Sequence, residues 1–565
     1  MTRAASTSSP AAMSSGSRVN VARRLTEMAR RYPDTLAVVV PCKRKGGKRQ
    51  YDTCTFAELE NETNRLAHGF RALGIRPGQR IALLVRPGKD FIALVFAMLK
   101  AGIVVVLIDP GMGRSNLISC LEQVEPEGFV AIPVVHAIRW LLKGKFPKSR
   151  HHVTVGRRAF AGAITLDAVR AMGTGEPFCE DTGADDPAAI IFTSGSTGPP
   201  KGVLYRHEIF DRQVAEIGEH YGIQPGEIDL AGFPLFGLFN GAMGVTTVIP
   251  DMDATRPARV DPRNIVEAIH DWNITQSFGS PAIWNRVGQY CQQHNVQLPS
   301  LRRVISAGAP VPPEVLARMK GCIAGDGDIF TPYGATEALP VASIAASEVL
   351  TETRAAWAQG GGTCVGTRFP GIRWKVIATS DEPIATLNET TELPPGEIGE
   401  LIVCGPVVTH EYVTRREANA LSKISDGGDT WHRMGDVGYF DERGRFWFCG
   451  RKAHRVQSGH GTMYTIPCEA IFNQHPAVYR SALVGMGPSP QQRPAIVVEP
   501  RPEKRPRGAL SRGALVDELR AMAEAHPLTA CIRDFLIIRS MPVDVRHNAK
   551  IGREKLAIWA ARNLR

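Results

Sequence analysis

The stretch from Ile191 to His207, IFTSGSTGPPKGVLYRH, gathers hydroxyls and glycines ahead of a single cation. Thr193, Ser194, Ser196 and Thr197 supply hydroxyl groups, and Gly195 and Gly198 let backbone N–H groups approach an anion closely. Lys201 adds a point charge. That combination suits a chain of phosphates, yet it departs from the GxxxxGK[ST] loop of γ-phosphate-transferring NTPases: Lys201 follows two prolines and precedes Gly202. Three further segments carry chemistry-bearing side chains. YGATE (333–337) holds an aromatic ring at Tyr333, a hydroxyl at Thr336 and a carboxylate at Glu337. WHRMGDVGYF places Asp436 after a glycine, suited to gripping a ribose diol, and MPVDVRHNAKIGREKL presents Lys550 ahead of a glycine.

These residues need a scaffold, and the hydrophobic pattern describes one. RIALLV (80–85) and IVVVLID (103–109) are continuous apolar runs of strand length, separated by the helix-like KDFIALVFAMLKAG. Strand, helix, strand predicts a parallel sheet with crossover helices. The alternation continues through AAIIFT (188–193), TTVIP (246–250), a helix around 265–272 and LRRVISAG (301–308). Before it come an amphipathic helix over 19–33 and a second in TFAELENETNRLAHGFRALG, with Leu59, Leu66 and Phe70 on one face. After about residue 395 the texture turns β-rich, with a hairpin in GYFDERGRFWFCG. From about 453 onward SALVGM, PAIVVEP and GALVDELRAMAEAH form a separate mixture of strands and helix.

Composition narrows the class. At 565 residues the chain exceeds a single core. No apolar run reaches the length of a membrane span, and the N-terminal MTRAASTSSPAAMSSGS lacks the apolar core of a signal peptide. Eleven cysteines without CxxC or Cys/His metal spacing read as structural thiols in a reducing cytoplasm. The net charge is +11, and from Arg501 onward 14 Lys and Arg face 7 Asp and Glu. No nucleic-acid module accompanies that charge, which favours an anionic substrate, an acidic partner or a membrane surface. A basic stretch with interleaved apolar residues, IRWLLKGKFPKSRHH (138–152), reads either as a docking surface for lipid or a partner, or as a covered helix with solvated lysines.

In this order and at these separations, the motifs resemble the adenylate-forming superfamily of acyl-CoA synthetases, peptide-synthetase adenylation domains and luciferases. The resemblance runs from TFAELENETNRLAHGF to IGREKL. It implies an α/β fold: a large N-terminal domain of parallel and mixed sheets with flanking helices and a β-barrel-like part, then a small, mobile α+β C-terminal domain. The expected division is a disordered lead-in at 1–18, the large domain at 19–450 and the small one at 451–565, with a hinge near 450–453. It implies ATP and Mg²⁺ as cofactors. Thr193, Ser194, Gly195, Ser196, Thr197, Gly198 and Lys201 match the loop that holds the β- and γ-phosphates. Tyr333 and Gly334 would face adenine, with Gly308, Ala309 and Pro310 as the opposite wall. Thr336 would bind the α-phosphate, Glu337 the metal, Asp436 and Arg451 the ribose, and Lys550 would bridge carboxylate and α-phosphate.

Departures from the superfamily's pattern bear on the second half-reaction. Gly237, in FPLFGLFNGAMG, stands where many relatives carry His, and is expected to widen the acyl site. The segment GRKAHRVQSGHGTMYTIPCE has Ala453 at the hinge and a longer loop before Pro467 and Glu469 than thioester-forming relatives. The segments LYRHEIFDRQV (204–214) and FPLFGLFNGAMGVTTVIPDMDATRPARVDP (233–262) are most similar to one branch, the β-lactone synthetases of bacterial long-chain olefin biosynthesis. That resemblance implies adenylation of a long-chain 2-alkyl-3-hydroxy acid, then attack by its own β-hydroxyl to give a cis or trans β-lactone, AMP and diphosphate. By family position Phe236, Gly237, Gln276, Phe278 and Gly279 line the acyl pocket, and His207 and His454 are candidate bases. Assembly with other enzymes of the same pathway is compatible with this reading. A fatty acyl-CoA synthetase or acyl-AMP ligase is the alternative enzyme, and a catalytically silent acyl-binding scaffold the alternative from another class.

Overall fold

The computed structural model describes residues 18–193, 198–543 and 550–564; Ser194, Gly195, Ser196 and Thr197 of the expected phosphate loop lie outside the described residues, as does most of the expected lead-in. Arg18, at the end of that lead-in, bridges to Gly183 and pairs with Asp181.

Two large sheets form the scaffold. The first has seven strands, with Arg80–Leu84 and Val104–Leu107 as parallel neighbours at its centre. Pro187–Phe192 lies parallel beside Val104–Leu107, and Gly202–Arg206 turns back antiparallel against it. The crossover helix Lys89–Lys100 is buried from Phe91 onward, which explains why its sequence carries so little polar periodicity. Helix Phe56–Ala72 covers it, started by a capping box in which Thr55 and Glu58 each satisfy the other's backbone N–H. Its Leu59, Leu66 and Phe70 are buried on one face.

The second sheet has nine strands, six of them parallel in the order 328–335, 303–306, 276–279, 228–231, 246–248, 36–45. Asp328–Ala335 then pairs antiparallel with Ala338–Ala345, so Thr336 and Glu337 sit on the turn between them. A third, antiparallel sheet contains Gly399–Cys404, Asp429–Phe440 and Phe446–Arg451, and is the barrel-like part. The hairpin expected in GYFDERGRFWFCG is present, turning at Gly444 with φ 72°.

The small C-terminal domain has its own core. Val478–Met486 and Arg493–Pro500 pair antiparallel, Asp534–Ile537 adds in parallel, and helix Ala509–Glu524 packs Leu515, Leu519 and Ala523 against Ile496, Val498 and Phe535.

Candidate active site

Strand Pro187–Phe192 ends at Thr193, whose N–H donates to the Lys201 carbonyl at 3.0 Å while its Oγ1 accepts from the Lys201 N–H at 3.1 Å. The phosphate-type loop is therefore pinched shut at its base, with both ends anchored on the sheet. Gly198 has φ 142° and open space where a Cβ would stand. The Lys201 ammonium lies 4.5 Å from the centroid of the Tyr412 ring. Burial lowers its pKa, and Glu337 opposes that shift.

Glu337 is held by groups distant in sequence. The Tyr412 hydroxyl donates to Oε1 of Glu337 at 2.5 Å, and the N–H and Oγ1 of Thr409 donate to its carbonyl at 2.9 and 3.0 Å. Lys423, half-buried beside the same tyrosine with Nζ 5.8 Å from the ring centroid, donates to the Thr409 carbonyl. Burial drives the Lys423 pKa down to about 7, Glu337 pulls it back, and Lys201 pushes it further down. The Tyr205 hydroxyl fixes the neighbouring Thr336 carbonyl at 2.6 Å.

A second chain of polar contacts crosses from the large sheet to the antiparallel one. The Tyr333 hydroxyl donates to Oδ2 of Asp436 at 2.5 Å, and Arg451 donates to Oδ1 at 2.8 Å. Arg451 also donates to the Met434 carbonyl at 2.8 Å. Burial and then Asp436 raise the Tyr333 pKa, while Asp436 holds the Arg451 guanidinium above its usual value. The Asp436 carboxylate is thereby oriented by two donors before any ligand arrives. Phe446 and Phe448 support the Tyr333 ring, with centroids 6.1 and 6.4 Å away.

Glu337, Lys201 and the Tyr333–Asp436–Arg451 chain border one cavity of about 2440 Å³, with Tyr412, Thr409 and Lys423 behind its wall. Thr193, Gly198, Lys201, Gly308, Ala309, Pro310, Tyr333, Gly334, Thr336, Glu337, Asp436 and Arg451 line its polar part, and Lys550 and His454 reach it from the C-terminal side. The remainder is largely apolar, with walls that include Val95, Phe96, Leu238 and Phe239. Phe236 and Phe278 stack there with centroids 4.0 Å apart.

Four expected site residues lie elsewhere. His207 opens helix His207–Tyr221 with no solvent exposure and does not border the cavity; its Nδ1 accepts from the Val21 N–H at 3.4 Å. Burial lowers its pKa to about 4, so it is a neutral, packed side chain. Gly237 is buried off the cavity, and a Cβ there would meet Thr247 Cγ2 at 3.0 Å. What this glycine permits is close approach of helix Phe236–Met243 to strand Thr246–Val248, not a wider acyl site. Gln276 lies beneath the sheet surface accepting from Arg303 at 2.7 Å. A Cβ on Gly279 would meet the Trp284 indole at 3.1 Å. Strand alternation explains the contrast with Phe278, which points the opposite way from Gly279.

The sequence reading missed Tyr412, Lys423, Thr409 and Tyr205. Tyr412 sits in GPVVTHEYVTRRE, which has neither helical nor strand periodicity. It reaches Glu337 because the segment runs beside strand Gly202–Arg206, through a Val203–Tyr412 bridge and a 2.8 Å bond from the Gly202 N–H to Thr414 Oγ1.

The sequence pattern of the family described as AMP-binding enzyme matches residues 25–413. An olefin β-lactone synthetase of Stenotrophomonas maltophilia is 45% identical over 96% of this chain and 98% of its own length. One from Xanthomonas campestris pv. campestris is 46% identical over 96% and 97%. Among solved structures, the anthranilate CoA ligase AuaEII in complex with anthranoyl-AMP superimposes with a TM-score of 0.77 at 20% identity, covering 97% of this chain and 98% of its own. The match over residues 25–413 and the near-complete alignment with these two synthetases show that the chain belongs to the family of AMP-binding enzymes, beside the olefin β-lactone synthetases.

Proposed function

We propose that the protein is an ATP-dependent β-lactone synthetase that activates the carboxylate of a long-chain 2-alkyl-3-hydroxy acid and closes it with its own hydroxyl. The observation that carries this reading is one cavity in which an oriented Tyr333–Asp436–Arg451 chain and the Glu337 and Lys201 side chains meet a large apolar space. The kinship with olefin β-lactone synthetases supplies the choice of product.

In the first step a carboxylate oxygen attacks the α-phosphorus of ATP and diphosphate leaves. Tyr333 with the 308–310 segment holds the base, Asp436 and Arg451 the ribose, and Thr193, Gly198 and Lys201 the departing phosphates. Both reactants are anions, so cations must offset the charge that builds between them. Lys550 meets the carboxylate and α-phosphate from the C-terminal side, and rotation of that domain about the 450–453 segment would gate the step. Glu337 fits Mg²⁺: its carboxylate is fixed by Tyr412 on the cavity wall, and this ion commonly takes one or two carboxylates with phosphate oxygens and water. Bound there, Mg²⁺ would neutralise phosphate charge.

In the second step the β-hydroxyl oxygen attacks the acyl carbon, AMP leaves and the hydroxyl proton passes to a base. The nucleophile is tethered, and well-aligned tethered reactions reach effective molarities on the order of 10⁵ M or more. His454 borders the cavity and burial lowers its pKa, which makes it the acceptor the geometry favours over His207.

The test is the product mass from a 2-alkyl-3-hydroxy acid, ATP and Mg²⁺, with and without CoA. Release of AMP with a product lighter than the acid by one water, independent of CoA, is expected. A CoA thioester would make the chain an acyl-CoA synthetase, and no AMP at all would leave an acyl-binding scaffold.

A further inference from the structure

Twelve large apolar side chains are exposed among the described residues, and five of them belong to one small region. Val134, Ile138, Trp140 and Leu141 project from helix Pro133–Leu141, with Trp140 57% and Leu141 72% exposed. Phe160 is the fifth, on a loop strapped to that helix: Arg139 donates to the Ala161 carbonyl at 2.6 Å, and Gly156 abuts Pro133. Clustering of this kind marks a contact surface, since isolated apolar exposures are ordinary.

The segment that carries the cluster has charge of one sign. Between Gly128 and Leu166 there are seven Lys and Arg and no Asp or Glu. Arg139 is buried in the strap, Lys145 pairs with Glu122 of helix Arg114–Val124, and Lys148 pairs with Glu125 just past its end. Lys143, Arg150, Arg157 and Arg158 are exposed around the apolar side chains.

We propose that helix Pro133–Leu141 and the 156–162 loop form a docking surface for an anionic lipid bilayer, with Trp140, Leu141 and Ile138 entering the headgroup–acyl boundary and the surrounding cations lying over lipid phosphates. An apolar, aromatic-bearing face ringed by Lys and Arg matches a membrane interface. Glu122 and Glu125 are already paired with Lys145 and Lys148, which leaves Lys143, Arg150, Arg157 and Arg158 to face anionic headgroups. The helix also has a second face: Val135, with Ile132 just before it, lines the large cavity. On the reading of that cavity as the acyl site, docking would set its apolar wall against the lipid from which a long-chain acid partitions. The docking itself does not depend on that reading.

The test is co-sedimentation of the full chain with vesicles of equal parts phosphatidylglycerol and phosphatidylethanolamine, against phosphatidylcholine alone. Binding to the anionic vesicles only, weakened by raised salt, is expected. The double variant Trp140→Ala/Leu141→Ala should bind about tenfold or more weakly, as should Lys143→Glu/Arg157→Glu/Arg158→Glu. The two variants alter different chemistry, so one unfolded variant, detected by circular dichroism, leaves the other decisive. Three results would overturn the proposal: no sedimentation with anionic vesicles, unchanged binding by both folded variants, or loss of a self-associated state by light scattering as the sole effect of Trp140→Ala/Leu141→Ala. AMP release measured on a detergent-dispersed acid should match the parent in both variants, whereas a defect confined to acid supplied in vesicles supports delivery from the bilayer.

Discussion

The Tyr412 hydroxyl donates a 2.5 Å hydrogen bond to Glu337 across 75 positions of sequence, while the face of its ring carries Lys201 at 4.5 Å. One aromatic side chain thus orients both the carboxylate and the cation assigned to the phosphates. Tyr412→Phe keeps the ring under Lys201 and removes only the donor. A hydrogen bond to a charged acceptor contributes about 1.5–3 kcal/mol, so kcat/KM for ATP should fall about tenfold to a hundredfold. The Mg²⁺ concentration needed for half-maximal diphosphate release should rise with it. An unaltered Mg²⁺ requirement would show that Tyr412 does not position Glu337.

Asp436 stands between Tyr333 and Arg451, accepting from both. Asp436→Asn preserves shape but removes the charge that holds Arg451. KM for ATP should rise about tenfold or more, with the KM for the acid little changed, and stability should drop by about 1.5–3 kcal/mol. Steady-state kinetics in each substrate and a denaturant titration check the two halves separately. A rise confined to the acid KM would place Asp436 away from the nucleotide.

Lys550 reaches the cavity from the small domain. Lys550→Ala should lower AMP formation by about 10²–10³-fold while ATP still binds, because the proposed role sets its ammonium where charge develops at the α-phosphorus. Calorimetric ATP binding alongside single-turnover AMP release makes the distinction. Undiminished AMP release would remove Lys550 from the first step.

His207 should govern acid stability and not turnover. Its folded pKa is about 4 against an ordinary value of 6.5. As pH falls from about 6.5 to 4, the unfolded chain binds a proton that the folded chain refuses, so stability is lost across that window, by about 2–3 kcal/mol. His207→Asn, which retains an acceptor near the Val21 N–H, should flatten the stability profile over that range and keep near-parental turnover at pH 8. Loss of turnover without a change in the acid limb would return His207 to the reaction.

Much of the scaffold was legible because its determinants are local. Arg80–Leu84 and Val104–Leu107 announce themselves as uninterrupted apolar runs, since parallel strands are covered on both faces. Leu59, Leu66 and Phe70 mark the buried face of helix Phe56–Ala72 by their spacing. Gly237 was misread for the opposite reason. Sequence reveals a missing side chain but not its direction, and only packing shows that a Cβ there would strike Thr247.

The chain's motifs by themselves set out hydroxyls and glycines, an aromatic ring, carboxylates and a lysine in an order suited to gripping a nucleotide, because each motif is a short run whose residue types carry the chemistry. Tertiary structure alone decided which distant side chains hold those grips in place. Tyr412, Lys423 and Thr409 converge on Glu337 through strand pairings between segments far apart in sequence, and Trp140 with Phe160 became one surface only when Arg139 tied loop to helix. Local periodicity encodes burial of a residue's own element; it contains no record of which remote backbone will run beside it.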